Sequence, residues 1–382
     1  MGGKIGSWTR WAAAGIALGL LVLATPSHSD DEQAKPPPWP TRKPSEPPWS
    51  ADRGASSEVE TAVEVDTASP ESVPVEIHAA SDLDSSHFSA DRAWQDMVSL
   101  VGFGPRVTGS EGAEQARAYI RGELEAMGAE VIERRLEISG PDGDPLEAVH
   151  LTGVLAGASD DIFMLAAPYD TFPFESFEHV GANSGASGPA VVLELGRVFA
   201  VRSRPYTIWL TFMDGDALPA TAGETVSARS GSRSLAAAMA EDETLSRIRV
   251  AFFFDQVADT DLTIARDLRS HRPYRELAWT SAHAIGHGEA FPASGGFESP
   301  DASHRAFLSQ NLRRVVAIVD SRYGGDEPPG LYWHSEDDTL EHCSADSLAI
   351  VGTVSMETLQ RIEERLSKID RFVNPPAAPG SE

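Results

Sequence analysis

Apolar residues between about positions 87 and 370 recur with two alternating periods. Spacings of three and four residues predict helices after Ser89, after Ser110, from about Ser187 to Ala200, across SRSLAAAM and from Ser344 to about Leu366. Stretches of β-type sequence predict strands at EVIERRLEI, AVHLTGVLAG, DIFMLAA, YTIWLTFM, RVAFFFD and RVVAIVD. Apolar strands that alternate with helices indicate one α/β domain. Its central sheet is expected to be mixed and mostly parallel, with helices on both faces.

The first two helices carry end signals. Ser89 or Asp91 can cap the first helix, and Ser110 can cap the second, which is expected to end at Gly128. The apolar face of the first helix is predicted to comprise Ala90, Trp94, Met97, Val98 and Val101. The first folded element should therefore begin within a few residues of position 87.

The ends of the chain have a different character. Lys4 and Arg10 precede an apolar run of about fourteen residues, so residues 1–29 are predicted to be a signal peptide. The run is short of the roughly 20 residues that span a bilayer, which favours a cleaved export signal over a permanent anchor, although both remain open. Residues 30–86 are rich in proline, serine and acidic residues and are predicted to be a linker, and residues 371–382 to be a tail.

The charge and the cysteine content restrict the partners. The 58 acidic residues outnumber the 31 Lys and Arg residues, and the net charge of −27 disfavours nucleic acid and anionic lipid surfaces. Membrane contact is expected only through an uncleaved N-terminal segment. The single cysteine, Cys343, excludes an intrachain disulfide. The expected location is periplasmic or extracellular.

Chemistry is expected where the parallel strands end, because ligands of such sheets bind outside the carboxyl ends of the strands. Polar residues follow three predicted strands, in APYDT, MDGDA and FDQVADTD. A small-residue loop, GANSGASG, leads into a helix, and a late loop contains Trp333 and His334. These five segments form the predicted site.

The order and spacing of these segments resemble those of the co-catalytic zinc aminopeptidases and their relatives, the glutaminyl cyclases (metallopeptidase family twenty-eight). The similarity begins near FGPRVTGSEGAEQARAYIRGELEAMGAEV and is collinear from about Phe88 to Leu366. SARSGSRSLAAAM and the Trp-His pair are most similar to the glutaminyl cyclase branch. The resemblance implies the zinc aminopeptidase fold, with zinc bound by imidazole and carboxylate ligands.

The resemblance also assigns roles to single positions. Asp255 and His334 match metal-ligand positions, and Asp216 stands at the general-base position, where the family has a longer Glu. Other ligand positions are substituted, because Pro168, Ser184 and Ala217 replace a His, an Asp and a Glu. A catalytic zinc normally has three protein ligands, so zinc binding here is expected to be weak or absent.

Five further residues are possible accessories to an altered site: Asp170, His179, Asp214, Trp333 and His304. His179 is the best candidate for a replacement ligand. His304 lies where the family has an Asp-His pair, and Ser303 takes the place of that Asp. Each also has an ordinary structural interpretation as a turn, cap or packing residue. Ser184 as a nucleophile lacks a recognisable strand-turn-helix elbow.

Two functions follow from this pattern. The first is an exported domain with impaired or absent catalysis that binds a peptide-like ligand or another protein. The second is an active metal-dependent aminopeptidase or glutaminyl-peptide cyclotransferase that uses an altered ligand set.

Overall fold

The computed structural model describes residues 87–220, 228–294 and 296–373. The helices are α1 (Ala90–Gly102), α2 (Glu111–Ala126), α3 (Gly188–Ala200), α4 (Ser230–Glu241), α5 (Thr244–Arg247), α6 (Arg272–Ala284), α7 (His304–Ser309) and α8 (Ala345–Val373). The strands are β1 (Glu130–Ser139), β2 (Pro145–Leu155), β3 (Ser159–Pro168), β4 (Tyr206–Met213), β5 (Ile248–Asp255), β6 (Arg266–Asp267), β7 (Phe297–Glu298) and β8 (Val315–Val319). A π-helical turn (Asn183–Ser187) precedes α3, and a 3-10 turn (Leu340–His342) precedes α8.

The main sheet has the strand order β1-β2-β4-β3-β5-β8. β1, β2 and β4 pair antiparallel, whereas β4, β3, β5 and β8 pair parallel to one another. This arrangement confirms the predicted mixed, mostly parallel sheet. The carboxyl ends of four strands consequently meet at one edge.

The parallel strands are apolar throughout because both of their faces are covered. In β5, Phe252 and Phe254 join the larger core under α1, α2, α3, α6 and α8, whereas Phe253 joins a second core under α4 and α7. Successive strand residues point to opposite faces of a sheet. A strand between two layers of helices therefore has no polar side.

The predicted starts of α1 and α2 are confirmed. The Ser89 hydroxyl accepts a hydrogen bond from the Arg92 amide, and the Ser110 hydroxyl accepts one from the Ala113 amide. The placement of Val98 on the apolar face of α1 is wrong, because its side chain is 41% exposed. The buried positions of α1 are Ala93, Asp96, Met97 and Leu100. Val98 lies about 100° around the helix from its neighbour Met97.

The final helix is longer than predicted. α8 continues to Val373, into the segment predicted as a tail, although Ile369 and Phe372 are exposed. Apolar spacing cannot reveal a helical turn that buries little, which explains the difference. No described helix is long and apolar enough to cross a membrane. The predicted signal peptide, the linker and residues 374–382 lie outside the described residues.

Candidate functional site

A narrow cleft lies at the sheet edge where the parallel strands end. Its lining residues are Pro168, Asp170, Phe172, Ser184, Ala217, Arg229, Asp255, Trp333 and His334. The structure thus brings together seven of the residues singled out in the sequence. The cavity measures only about 10 Å³, which is room for about one water molecule. Anything larger must bind at the mouth or displace a side chain.

At the end of β3, Pro168 closes the strand and Asp170 lies two residues beyond it. The Asp170 Oδ2 atom accepts a hydrogen bond from the Ala217 amide at 2.6 Å. Its other oxygen is buried without a hydrogen-bond partner. Burial, together with the nearby Asp214 and Asp216, raises the pKa of Asp170 well above its usual value. The Asp170 environment therefore favours the neutral acid.

Asp214, after β4, is buried and does not line the cleft. Its carboxylate accepts hydrogen bonds from the Thr108 hydroxyl at 2.8 Å and the Val149 amide at 3.0 Å. Burial raises the pKa of Asp214, and these hydrogen bonds act in the opposite direction. Asp214 therefore joins the strand end to the segments that carry Thr108 and Val149.

Asp216 is also buried and outside the cleft lining. One carboxylate oxygen accepts a hydrogen bond from the Ser232 amide at 2.6 Å, and the other accepts one from the Ser303 hydroxyl. α4 begins very close to this turn, because a Cβ at Gly231 would lie 1.7 Å from the Asp214 carbonyl oxygen. Both oxygens at the family general-base position are thus engaged in structural hydrogen bonds.

Asp255, the last residue of β5, is buried beside a cation. Its Oδ2 atom lies 4.0 Å from Nη1 of Arg229, an ion pair that is too long for a hydrogen bond. Burial raises the pKa of Asp255 to about 7, against the lowering effect of Arg229. Arg229 and Gln256 both have a left-handed backbone, with φ of 53° and 54°. Such conformations are costly for non-glycine residues and cluster at functional sites.

The small-residue loop is bound to the late loop by Asp338. The Asp338 carboxylate accepts hydrogen bonds from the Asn183 amide at 2.7 Å and from the Ser184 hydroxyl at 2.5 Å. Burial acts to raise the pKa of Asp338, but contacts with His179, Ser184 and the Asn183 amide hold it below its usual value. Asp338 was not singled out in the sequence, where the acidic run SEDDT was the only signal.

His334 stands in the late loop with a left-handed backbone (φ 55°). Its ring stacks on Trp333, with centroids 3.6 Å apart, and contacts Phe172 at 4.4 Å. The His179 ring lies 6.0 Å from the His334 ring, and His179 Nε2 lies 3.5 Å from Asp338 Oδ2. His179 is therefore near His334, but it is buried and does not line the cleft. Phe174 and Phe177 stack on each other and extend this aromatic group.

Two other residues, His304 and Arg106, are buried outside the cleft lining. His304 is fully buried outside the cleft lining, with its Nε2 atom 3.5 Å from Asp267 Oδ2. Arg106, which sequence reasoning missed, is fully buried and donates hydrogen bonds to the carbonyl groups of Tyr169, Val180 and Gly181. Because it joins the loop after β3 to the loop before the π-helical turn, Arg106 fixes two walls of the cleft.

The zinc implied by the resemblance does not fit the residues present. Among the described residues, no three His, Cys, Asp or Glu side chains are grouped so that they could hold a metal ion. Asp255 and His334 both line the cleft, but the side chain of Arg229 lines it with them. The cleft offers aromatic faces, hydrogen-bonding groups and a fixed cation.

Comparisons with known proteins agree with this fold. The profile described as peptidase family M28 matches residues 150–359, more than half of the chain. Among solved structures, the chain is similar to a glutaminyl cyclase from an Acidobacteriales bacterium, with 28% identity and a TM-score of 0.66 over 79% of this chain and 100% of that one.

Two further structures share the fold. One is a leucine aminopeptidase precursor from Bacteroides thetaiotaomicron, with 23% identity and a TM-score of 0.64 over 72% of this chain and 98% of that one. The other is a Zn-dependent exopeptidase from Parabacteroides distasonis, with 23% identity and a TM-score of 0.64 over 74% of this chain and 100% of that one. No curated protein sequence gives a significant match. On the profile match and the shared fold, the chain belongs to peptidase family M28.

Proposed function

We propose that this chain is an exported M28 domain of the glutaminyl cyclase type that has lost metal-dependent catalysis and binds a peptide or a protein. One observation carries the proposal. Of the positions that the family resemblance assigns to metal ligands, Asp255 and His334 remain in the cleft, beside Pro168, Ser184 and Ala217. In the two-zinc arrangement of the family these two positions belong to different metals, and in the one-zinc arrangement only His334 is a ligand, so each site would keep one of the three protein ligands that a catalytic zinc normally has.

The general-base position supports the same conclusion. A base must reach the proton that it abstracts, and its lone pairs must be available for that proton. Asp216 accepts the Ser232 amide and the Ser303 hydroxyl, and it does not line the cleft. The Ser184 hydroxyl donates a hydrogen bond to the Asp338 carboxylate, whose pKa is held below its usual value, so this partner is a weak base.

Binding is proposed at the mouth of the cleft because the interior has so little room. The partly exposed rings of Phe174 and Trp333, from two loops, lie against His334, and Phe177 stacks on Phe174. Leu331, three residues before His334, is 76% exposed. Aromatic rings and exposed apolar side chains are the groups that anchor peptide side chains at interfaces. The similar solved structures are named as glutaminyl cyclases and exopeptidases, which also favours a peptide ligand.

The alternative is an active aminopeptidase or glutaminyl-peptide cyclotransferase with an altered ligand set drawn from His179, Asp170, Asp214 or Asp216. The approach of the His179 ring to the His334 ring, at 6.0 Å, favours it. Asp338, 3.5 Å from His179, would be the adjoining carboxylate. A rotation of these side chains would be needed to bring three ligands onto one ion.

Metal analysis of the full chain, purified without chelator, separates the two functions. The proposal predicts well under one zinc per chain, and no chelator-sensitive turnover of aminoacyl or N-terminal glutaminyl peptides. Stoichiometric zinc that is lost in His334→Ala or His179→Ala, together with such turnover, would establish the alternative.

Peptide binding is measured by calorimetry with the same peptides. Trp333→Ala should weaken it, and Ile369→Ala, at the end of α8, is the matched surface control.

Export is proposed from residues 1–29, which lie outside the described residues. Cell fractionation and N-terminal sequencing of the mature protein test it. Recovery in the periplasm or medium with the segment removed is the expected result. A chain that stays with the membrane and keeps its first residues would point to the anchor instead.

A further inference from the structure

A charged side chain of the protein itself lies among the residues at the family metal-ligand positions. Arg229 lines the cleft with Pro168, Ser184, Asp255 and His334. Its side chain is 11% exposed, and its Nη1 atom lies 4.0 Å from the Asp255 carboxylate. The resemblance gave no reason to expect a cation here, because it assigned no role to Arg229.

The position of Arg229 is set from both ends of the side chain. Its backbone is left-handed, and it is the residue directly before the first residue of α4. At the other end, Nη2 donates a hydrogen bond to the Asp301 carbonyl at 2.5 Å. The Arg guanidinium stays charged at every physiological pH. The cleft therefore contains a fixed positive charge, held by two separate segments of the chain.

The surroundings of this charge are acidic. Asp255 and Asp170 line the same cleft, and both carboxyl groups feel a favourable electrostatic effect from Arg229. Asp216 and Asp338 lie near enough to Asp255 to act on it unfavourably. Acidic groups gathered at a sheet edge with little solvent repel one another unless a cation compensates them. Arg229 is the cation that lines the cleft.

We propose that Arg229 is an internal counter-ion that has taken over the charge-compensating role of a metal in this cleft, and that it excludes divalent ions. A metal would meet a charge of the same sign within a cavity of about 10 Å³. Restoring lost ligands would therefore be insufficient to restore metal binding while Arg229 remains. The proposal concerns the ion pair and the occupied space, so it does not rest on any peptide being bound.

A double-mutant cycle tests the ion pair without any metal. Arg229→Met keeps an unbranched apolar stem and removes the guanidinium with its charge. It should lower the folding equilibrium constant by about tenfold or more, because buried Asp255 loses its counter-ion. Asp255→Asn should reduce that loss, with a coupling of at least about threefold in the folding constant. Arg233→Met, at an exposed position of α4, is the matched control and should show no coupling to Asp255→Asn. Additive effects at 229 and 255 would overturn the proposal.

A second experiment measures exclusion directly. The variant Pro168→His, Ser184→Asp, Asp216→Glu, Ala217→Glu rebuilds the family ligand set, and zinc binding is measured with and without Arg229→Met. Loss of Arg229 should tighten zinc binding by at least about tenfold, which is the effect of removing one like charge from a poorly solvated site. Arg233→Met in the same background removes one positive charge elsewhere and should leave the affinity unchanged. Equal zinc affinity with and without Arg229 would refute exclusion, and if the fourfold variant does not fold, the cycle above decides alone.

These results differ from those that test the proposed function. The function fails if the unmodified chain holds stoichiometric zinc and turns over peptides. The inference fails if Arg229 and Asp255 are energetically independent. A strong coupling in a chain that nevertheless holds zinc would leave Arg229 as the counter-ion of Asp255, but it would refute both the exclusion of metal and the loss of catalysis.

Discussion

The hydroxyl of Ser184 donates a hydrogen bond of 2.5 Å to Asp338, a residue 154 positions later in the chain. The same carboxylate accepts hydrogen bonds from the backbone amides of Asn183 and Ser184. Asp338 is buried, so its charge depends on these donors for stabilisation. The loop that enters α3 is thereby attached to the loop that carries His334. One buried carboxylate therefore holds these two loops together.

We expect Asp338→Asn to destabilise the domain by about 2–4 kcal/mol. The amide keeps one acceptor oxygen, and its NH₂ group is placed against donors, so at least one buried donor loses its partner. Urea unfolding at neutral pH measures the change. Asp337→Asn, at the exposed neighbouring position, should stay within about 0.5 kcal/mol. Equal effects of the two changes would show that the carboxylate does not join the loops.

Ser303→Ala tests whether hydrogen bonds from the protein hold the Asp216 carboxylate in place. The Ser303 hydroxyl donates to one Asp216 oxygen, and the Ser232 amide donates to the other. Removal of the hydroxyl leaves a buried carboxylate with one donor fewer, and a loss of about 1–3 kcal/mol is expected. Ser309→Ala is the control, because its hydroxyl donates to the Ala306 carbonyl within the same helix. If Ser303→Ala lowers the free energy of unfolding by no more than the control does, the hydrogen bond from Ser303 to Asp216 does not stabilise the fold.

Much of the fold could be predicted from the sequence, because the buried faces of strands and helices place apolar residues at a regular spacing. β3, β4 and β5 are apolar runs, and α1 and α2 have capping serines, so their existence and type were foreseeable. α6 was missed, although Leu277 and Trp279 are buried, because polar residues such as Arg275 are buried with them. A helix that buries its polar residues has a weakened apolar period.

Some residues of the candidate site could likewise be predicted from the sequence, and others could not. Pro168, Asp255 and His334 were predicted to converge because the carboxyl ends of parallel strands share an edge, and they do line one cleft. Asp214 and Asp216 were predicted at the right strand end, but spacing does not reveal that their carboxylates turn to buried donors. Arg229 and Asp338 could not be foreseen, since each acts through a tertiary contact with no signature in sequence spacing.

Glu363 on α8 gives the stability of the domain a predictable pH dependence. Burial, and secondly the neighbouring Glu364, raises the pKa of Glu363 from its usual value of 4.5 to about 7. Between these two values the folded state retains a proton that the unfolded state has released, so stability falls as the pH rises through this window. Glu363→Gln removes the dependence. We therefore expect the variant to gain stability relative to the unmodified chain from about pH 4.5 to 7, with a constant difference above that.

Thermal unfolding at pH 4, 5.5 and 8 measures this difference. Glu364→Gln provides a second variant, because loss of its charge should lower the pKa of Glu363 and narrow the window from its upper side. A difference between Glu363→Gln and the unmodified chain that is the same at all three pH values would contradict the assigned pKa.

The N-terminal boundary of the domain should be sharp to within three residues. Phe88 is buried and packs so closely on α8 that a Cβ at Gly352 would lie 2.2 Å from its ring. Ser89 caps α1, and its amide donates a hydrogen bond of 2.9 Å to the Glu194 carboxylate. Residues 1–86 are predicted to contribute too little apolar surface to offset the entropy of ordering them.

A chain that begins at His87 should therefore melt within about 2 °C of the full chain. A chain that begins at Ala90 loses a buried phenylalanine, which costs about 3–5 kcal/mol, and a helix cap, which costs about 1 kcal/mol. Its melting temperature should fall by roughly 10 °C or more, and scanning calorimetry of the two truncated chains compares them directly. A large drop already in the chain that begins at His87 would mean that the preceding segment packs on the domain.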